Sequence, residues 1–299
     1  MEMVITLAII CFLFGATIGS FLGVCSYRIP MGRYEPTRQG IKQLERSVSI
    51  ASPARSFCPH CEKQLKSWHT IPLFSWLFLK GRCAYCRAPI PFRYFVIEVL
   101  TGVAAVLCLL RFGPTPTALG VFLFTCILIT ITYIDLDYMI IPDVITYPAT
   151  FIGLAIGLVN YLFSSPLAPI LAPPFVYSPF ESLFGLAMGP GMLLIVWWLY
   201  FKVRKREGLG LGDVKLLAVV GATFGPECAW FTIFCGSIIG SIIGIGLILI
   251  NRNSVSNTYI PFGPYLAFGA AAYLFELPEF LLYLWGGRGP LSWWIGGIL

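Results

Sequence analysis

Charge is what this sequence has least of. Only 11% of its 299 residues are charged while 58% are hydrophobic, where a soluble domain of this length would carry about a quarter charged residues. An ordinary cytosolic globular enzyme is excluded. The apolar run from about Val4 to Tyr27 has no basic segment before it and no convincing small-residue cleavage site after it. It reads as a retained helix rather than a removable signal peptide. Internal repeats, low-complexity tracts and a second soluble domain are missing. So is the Gly-rich strand-to-helix turn that would cradle a nucleotide-like cofactor.

What charge there is falls unevenly. Residues 28–93 hold twelve Lys/Arg and three Glu between long apolar runs, the pattern of a cytoplasmic loop under the positive-inside rule rather than of a nucleic-acid surface. About 20 apolar residues cross a bilayer core. Candidates at 4–27, 95–111, 117–136, 144–163, 180–202, 214–225, 227–250 and 259–287 predict an all-α polytopic membrane protein of about eight transmembrane helices. The 214–225 segment is too short to span alone and reads as a half-helix buried among its neighbours. Lys202, Arg204, Lys205, Arg206 and Arg252 fall on the same side as the 28–93 loop, which places both termini outside. The expected division is a first helix at 1–27, a cytoplasmic loop domain at 28–93 and a membrane-embedded domain at 94–299. A loop of that size is marginal for a core of its own and needs a staple.

Cysteine supplies one. Of ten cysteines, Cys11, Cys25, Cys108, Cys126, Cys228 and Cys235 lie singly in apolar segments, as small buried hydrophobes do. The others form Cys58-Pro-His-Cys61 and Cys83-Ala-Tyr-Cys86, two CxxC pairs suited to tetrahedral Zn2+. A reducing compartment disfavours disulfides, and no βαβ pattern supports redox chemistry. Four thiolates leave no open position on the metal, so its role is structural. His60 and His69 are alternative ligands, less favoured than solvent-facing loop histidines.

Five acids adjoin apolar helices. Asp135, Asp137 and Asp143 lie at the cytoplasmic end of the third span, Asp213 closes Gly208-Leu-Gly-Leu-Gly-Asp213, and Glu98 starts the second span. An ionised carboxylate at the bilayer centre costs about 2.5–3.5 kcal/mol, less near the interface. Each has a plain structural reading. Asp143 and Asp213 suit helix caps, Asp137 faces headgroups or water, and Glu98 pairs with Arg93. Asp213 differs in its setting, because alternate glycines let another backbone approach closely. An acid at such a bend, with a second on another helix, suggests a paired-aspartate hydrolase: one carboxyl keeps its proton while the other activates water. The residues alone do not choose between Asp135, Asp137 and Asp143 as its partner.

Along most of its length the chain resembles the type IV prepilin peptidases, bifunctional leader peptidase/N-methyltransferases of the GxGD aspartic protease class. The resemblance is carried by Ser20-Phe-Leu-Gly-Val, Tyr27-Arg-Ile-Pro30, both CxxC pairs, Ile71-Pro-Leu-Phe-Ser75 and Arg93-Tyr94 with Glu98. It continues through Ile134-Asp-Leu-Asp with Pro142-Asp143, Gly208-Leu-Gly-Leu-Gly-Asp213-Val-Lys215 and Ile260-Pro-Phe-Gly-Pro-Tyr265. It implies that Asp135 and Asp213 are the catalytic pair. It further implies that prepilins or pseudopilins, with a basic leader and an apolar N-terminal helix in membrane lipid, are cleaved at the cytoplasmic face of the bacterial inner membrane. The new N-terminus would then be methylated from S-adenosylmethionine. Two departures stand out: Gly23 where the family often has Asn, and Glu62-Lys63 after the first CxxC where Gly is usual. Both bear on the methyltransferase half, which the family associates with the cysteine-bearing loop.

The alternatives are a peptidase without methyltransferase activity, an ion-coupled transporter, and a zinc module binding nucleic acid through the basic loop. No inverted repeat supports the second, and topology already explains the basic loop, so nucleic acid is not an expected partner.

Overall fold

In lipid, a backbone must satisfy its N–H and C=O groups within the segment, so long uncharged runs fold as helices. The computed structural model describes residues 2–31, 55–163, 171–205, 210–250 and 260–275. These form α1 (Glu2–Met31), a 3-10 turn (Ser67–Thr70), α2 (Phe74–Phe78), α3 (Arg93–Phe112), α4 (Pro116–Tyr138), α5 (Asp143–Phe163), α6 (Pro179–Arg204), α7 (Leu211–Ile250) and α8 (Gly263–Leu274). Among the described residues there is no β-sheet, only two isolated bridges. Two starts follow the rules of helix entry. Thr115 and Ser178 each stand before a proline at N1 and accept the N–H of Ala118 and Glu181 through their side chains.

Among the described residues six helices, α1 and α3–α7, are long and apolar enough to cross a membrane. These six account for seven of the eight expected segments, and the eighth is described only in part. The expected 214–225 and 227–250 pieces are joined in α7, whose 40 residues would reach about 60 Å, twice a bilayer core. Gly225, at φ 84°, breaks that helix just before Pro226, so α7 is a short helix followed by a long one. The short one is enclosed: Asp213, Leu216, Leu217 and every residue from Val219 to Gly225 are buried. Of the expected 259–287 segment, α8 is described, and the remainder lies outside the described residues. So do Arg206, Gly208 and the Arg252 turn.

The chain forms two compact units, one of Met1–Pro114 with Val121–Ile134, the other of Thr115–Gly120 with Asp135–Leu299. In the first, α1 packs along α3 through small residues. A methyl group on Gly15 would lie 2.6 Å from the Thr101 carbonyl oxygen, and one on Gly102 would lie 2.8 Å from the Phe12 ring. In the second, α7 packs against α5, α6 and α8. Gly185 of α6 and Gly221 of α7 bring their backbones into direct contact, and Ser182 donates to the Ala222 carbonyl. Small residues allow this approach where lipid supplies no hydrophobic drive for helices to associate. Gly236 and Gly240, two of the small-xxx-small series in α7, face Leu266, Tyr265 and Phe262 of the same chain.

Candidate active site and metal centre

Asp135 stands in the last turn of α4. The helix ends where Met139 turns left-handed (φ 55°) and returns its N–H to the Asp135 carbonyl at 2.8 Å. The side chain is 5% exposed, and its Oδ2 accepts the N–H of Gly263, the first residue of α8, at 3.0 Å. That N–H is one of the unpaired donors at a helix start, where negative charge is favoured. A methyl group on Gly263 would stand 2.6 Å from the same oxygen. The close approach requires glycine.

Asp213 is 7% exposed and sits inside the first turn of α7 rather than capping a helix from Val214; its own N–H goes to the Gly210 carbonyl at 3.2 Å. Here too a missing side chain makes room. Buried Ile141 lies 3.0 Å from where a Cβ on Gly212 would be, and its Cδ1 lies 3.3 Å from the corresponding point on Gly263. One isoleucine therefore touches the glycine before Asp213 and the glycine that binds Asp135. The two acids lie within electrostatic reach of each other.

The other acids have different partners. The α5 hydrogen bonds open from the Pro142 carbonyl, which accepts from Ile145 and Thr146, so Asp143 is the first helical residue and not the cap. Its Oδ1 accepts from Lys215 Nζ at 2.5 Å, and that ammonium also lies over the Tyr147 ring. Asp137 is half-buried, two positions beyond Asp135. Sequence reasoning gave Lys215 and Gly263 no role. An acid at the start of α5 hinted at a cation, whereas nothing local announced that the Gly263 N–H would meet α4.

In the first unit the four cysteine sulfurs lie within 4.8 Å of one another, with Cys58 Sγ and Cys86 Sγ 3.7 Å apart. Tetrahedral Zn2+ with bonds of about 2.3 Å would separate its sulfurs by about 3.8 Å, so the donor set fits that ion. The two knuckles are alike. Glu62 donates its N–H to the Cys58 carbonyl and Arg87 to that of Cys83, and Glu62 and Arg87 turn left-handed at φ 55° and 59°. Burial pushes the Cys58 thiol up to about 12. At Cys83 burial acts in the same sense, but the N–H groups of Cys86 and Tyr85 outweigh it and bring that thiol to about 7. A cation would be needed to hold Cys58 as a thiolate.

The family position usually occupied by glycine is thus the left-handed residue of the first knuckle. Left-handed backbone costs an L-residue about 1–2 kcal/mol. Glu62→Gly should therefore strengthen the knuckle by about 1 kcal/mol, measured as slower loss of metal to a chelator. Gly23 has a different reason: a Cβ there would stand 2.9 Å from the Tyr94 ring, so Asn would require the ring to move. Glu98, 8% exposed, accepts the N–H of loop residue Leu73 at 2.7 Å. Arg93 stacks over Tyr94. His60 and His69 do not join the sulfur cluster.

Two family models match the chain. The bacterial peptidase A24 N-terminal domain covers residues 13–112, which hold the four cysteines, and the type IV leader peptidase family covers 122–245, which hold Asp135 and Asp213. A protein of Aeromonas hydrophila is 34% identical over 86% of this chain and 86% of its own length.

The chain belongs to the type IV leader peptidase family.

Other members include one from Stutzerimonas stutzeri, 33% identical over 93% of this chain and 91% of its own. One from Pseudomonas aeruginosa is 32% identical over 92% and 89%. All three are named prepilin leader peptidase/N-methyltransferase. No solved structure matches the chain significantly. With six apolar helices among its described residues, this member of the leader peptidase family is a membrane protein.

Proposed function

We propose that the chain cleaves the leader from prepilins with Asp135 and Asp213 and then methylates the new N-terminus. The observation that supports it most is the meeting of two buried carboxylates from α4 and α7 around Gly263 and Ile141. Two carboxylates so placed hold one proton between them. The ionised one takes a proton from water as its oxygen attacks the scissile carbonyl carbon, while the protonated one gives its proton to the carbonyl oxygen. The resulting diol collapses: its hydroxyl proton returns to the pair, the C–N bond breaks, and the leaving amine takes a proton. The Gly263 N–H occupies one oxygen of Asp135 throughout and so fixes the orientation of that carboxyl.

The topology proposed is a bacterial inner-membrane protein with the 28–93 loop in the cytoplasm and both termini outside, so that Asp135 and Asp213 meet substrate at the cytoplasmic face. Substrates have a basic leader followed by an apolar helix held in lipid. Zinc on Cys58, Cys61, Cys83 and Cys86 holds the loop together. S-adenosylmethionine, when bound, supplies an electrophilic methyl group.

Incubating purified protein with a synthetic prepilin, with and without S-adenosylmethionine, tests both activities by intact mass. Cleavage should occur in both samples, and the mass of one methyl group should be added only with the donor. An uncleaved substrate would refute the peptidase, and a cleaved but unmethylated product would leave a peptidase alone. Gly263→Ala should lower kcat about a hundredfold, the scale of a 1 Å misplacement. KM should change little, because Gly263 positions Asp135 rather than substrate.

A further inference from the structure

We infer that α2, in the cysteine loop, is an interfacial anchor whose outward face, Phe74, Leu77 and Phe78, lies in the anionic lipid surface of the bilayer that α1 and α3 cross.

The sequence of α2, Phe74-Ser-Trp-Leu-Phe78, leaves the helix without a polar side. Trp76 turns inward. Its ring lies 5.4 Å from that of Phe92 and 5.2 Å from that of Phe95, and its indole N–H reaches the Ile90 carbonyl at 3.4 Å. Phe74, Leu77 and Phe78, at positions i, i+3 and i+4, make the other face, and they are 51%, 55% and 81% exposed. Phe92, which touches Trp76, is exposed as well. A helical turn that is apolar on both sides needs cover on both.

The depth of α2 identifies that cover. The 20 residues of α3, Arg93–Phe112, are apolar enough to span and reach about 30 Å, the thickness of a bilayer core. Arg93 therefore stands at one edge of the apolar layer, and Glu98 lies about 7.5 Å further along the helix axis. Glu98 Oε2 accepts the N–H of Leu73, the residue that opens α2, at 2.7 Å. The start of α2 is thereby pinned level with the first turns of α3, beside the lipid rather than above it. Leu73 takes φ 63°, unusual for a side chain of its kind, to aim that N–H at α3. At this depth a backbone N–H has little water to turn to, and the buried carboxyl of Glu98 supplies the acceptor.

Charge around the face points to anionic headgroups. From Lys63 to Ile97 the chain has six Lys/Arg and no Asp or Glu. Lys80 and Arg82, just after α2, are exposed. An apolar face bordered by cations is the pattern of a helix lying in a negatively charged interface, and aromatic rings favour the headgroup level. A partner arriving from solution would have to displace lipid to reach it. The anchor holds the cysteine loop against the bilayer at the point where α3 enters.

The test uses the full chain in bilayer discs, which leave both faces of the membrane open to solvent. Phe78→p-benzoylphenylalanine is irradiated in discs of mixed phosphatidylcholine and phosphatidylglycerol, and the adducts are mapped by peptide mass. The peptide that holds residue 78 should gain the mass of one phospholipid, equally with and without a synthetic prepilin. Adducts to the prepilin or to a second copy of the chain would overturn the assignment, as would the absence of a lipid adduct.

The second measurement needs no substitution. Trypsin cutting after Lys80 and Arg82, relative to a soluble reporter peptide in the same sample, should be about tenfold slower in the mixed discs than in pure phosphatidylcholine, the scale of one or two cations held at an anionic surface. High salt should narrow the difference. Leu77→Ser combined with Phe78→Ser, shown to be folded by circular dichroism and elution volume, should be cut about tenfold faster than the parent in mixed discs, the scale of losing two apolar side chains from the interface. Equal rates for the parent in the two kinds of disc, or for parent and folded double variant in mixed discs, would overturn the anchor.

Discussion

Asp135→Asn and Asp213→Asn should each reduce prepilin cleavage by about a thousandfold or more, while the protein still inserts and elutes as the parent does. The size follows from the proposed chemistry. General acid or base catalysis by one positioned group contributes about 10²–10⁴-fold, and two groups that act as a unit are lost together when either is removed. Asparagine preserves shape, and its side-chain oxygen still accepts the Gly263 N–H, so the fold of α4 against α8 is retained. What it cannot do is hold or exchange the shared proton. The double variant should be no worse than either single one, a non-additivity that separates a shared-proton pair from two independent contributors. Robust cleavage by both single variants would remove the assignment altogether. Asp143→Asn provides the contrast. Its partner is Lys215 across a partly exposed pair, of the kind that contributes about 1 kcal/mol or less, so cleavage should persist.

The second large effect concerns the metal. Stripping zinc with a chelator, or replacing Cys58 and Cys61 together with Ser, should unfold the loop that holds the knuckles. Apparent binding energies of structural zinc are about 10–16 kcal/mol, well above what a loop of this size gains from its own apolar contacts. The measurements are metal content by mass spectrometry and the rate of proteolysis between residues 55 and 93. One zinc per chain is expected in the parent, none in the double variant, and rapid cutting in the stripped protein. A parent protein without stoichiometric metal, cut no faster after chelation, would refute a structural zinc.

How much of this was legible in the sequence depended on how local each signal was. The spans were readable because an uninterrupted apolar run has one fate in lipid. The half-helix was readable for the same reason: 214–225 was too short, and its burial is the consequence. The CxxC spacing announced four sulfurs in one place, and the structure gathers them. The limits were equally physical. Asp213 could be picked from its glycines, but its partner could not be chosen from three acids, since the choice depends on where α8 begins. The N–H of Gly263, 128 residues from Asp135 in sequence, leaves no local trace. Asp143 looked like a cap because proline precedes it, yet Lys215, 72 residues on, takes its charge. Glu62 looked like an oddity until its left-handed backbone showed why glycine is usual there.

The break at Gly225 has a bearing on biogenesis. The piece of α7 that carries Asp213 is too short to leave the translocon sideways as a stable span of its own. It must enter the bilayer already sheltered by α5 and α6, whose glycines meet its backbone. A nascent chain halted before that packing is complete would hold Asp213, the proposed catalytic acid, in the wrong surroundings. On the proposed role of Asp213, assembly itself would then be the safeguard that keeps an unfinished protease silent.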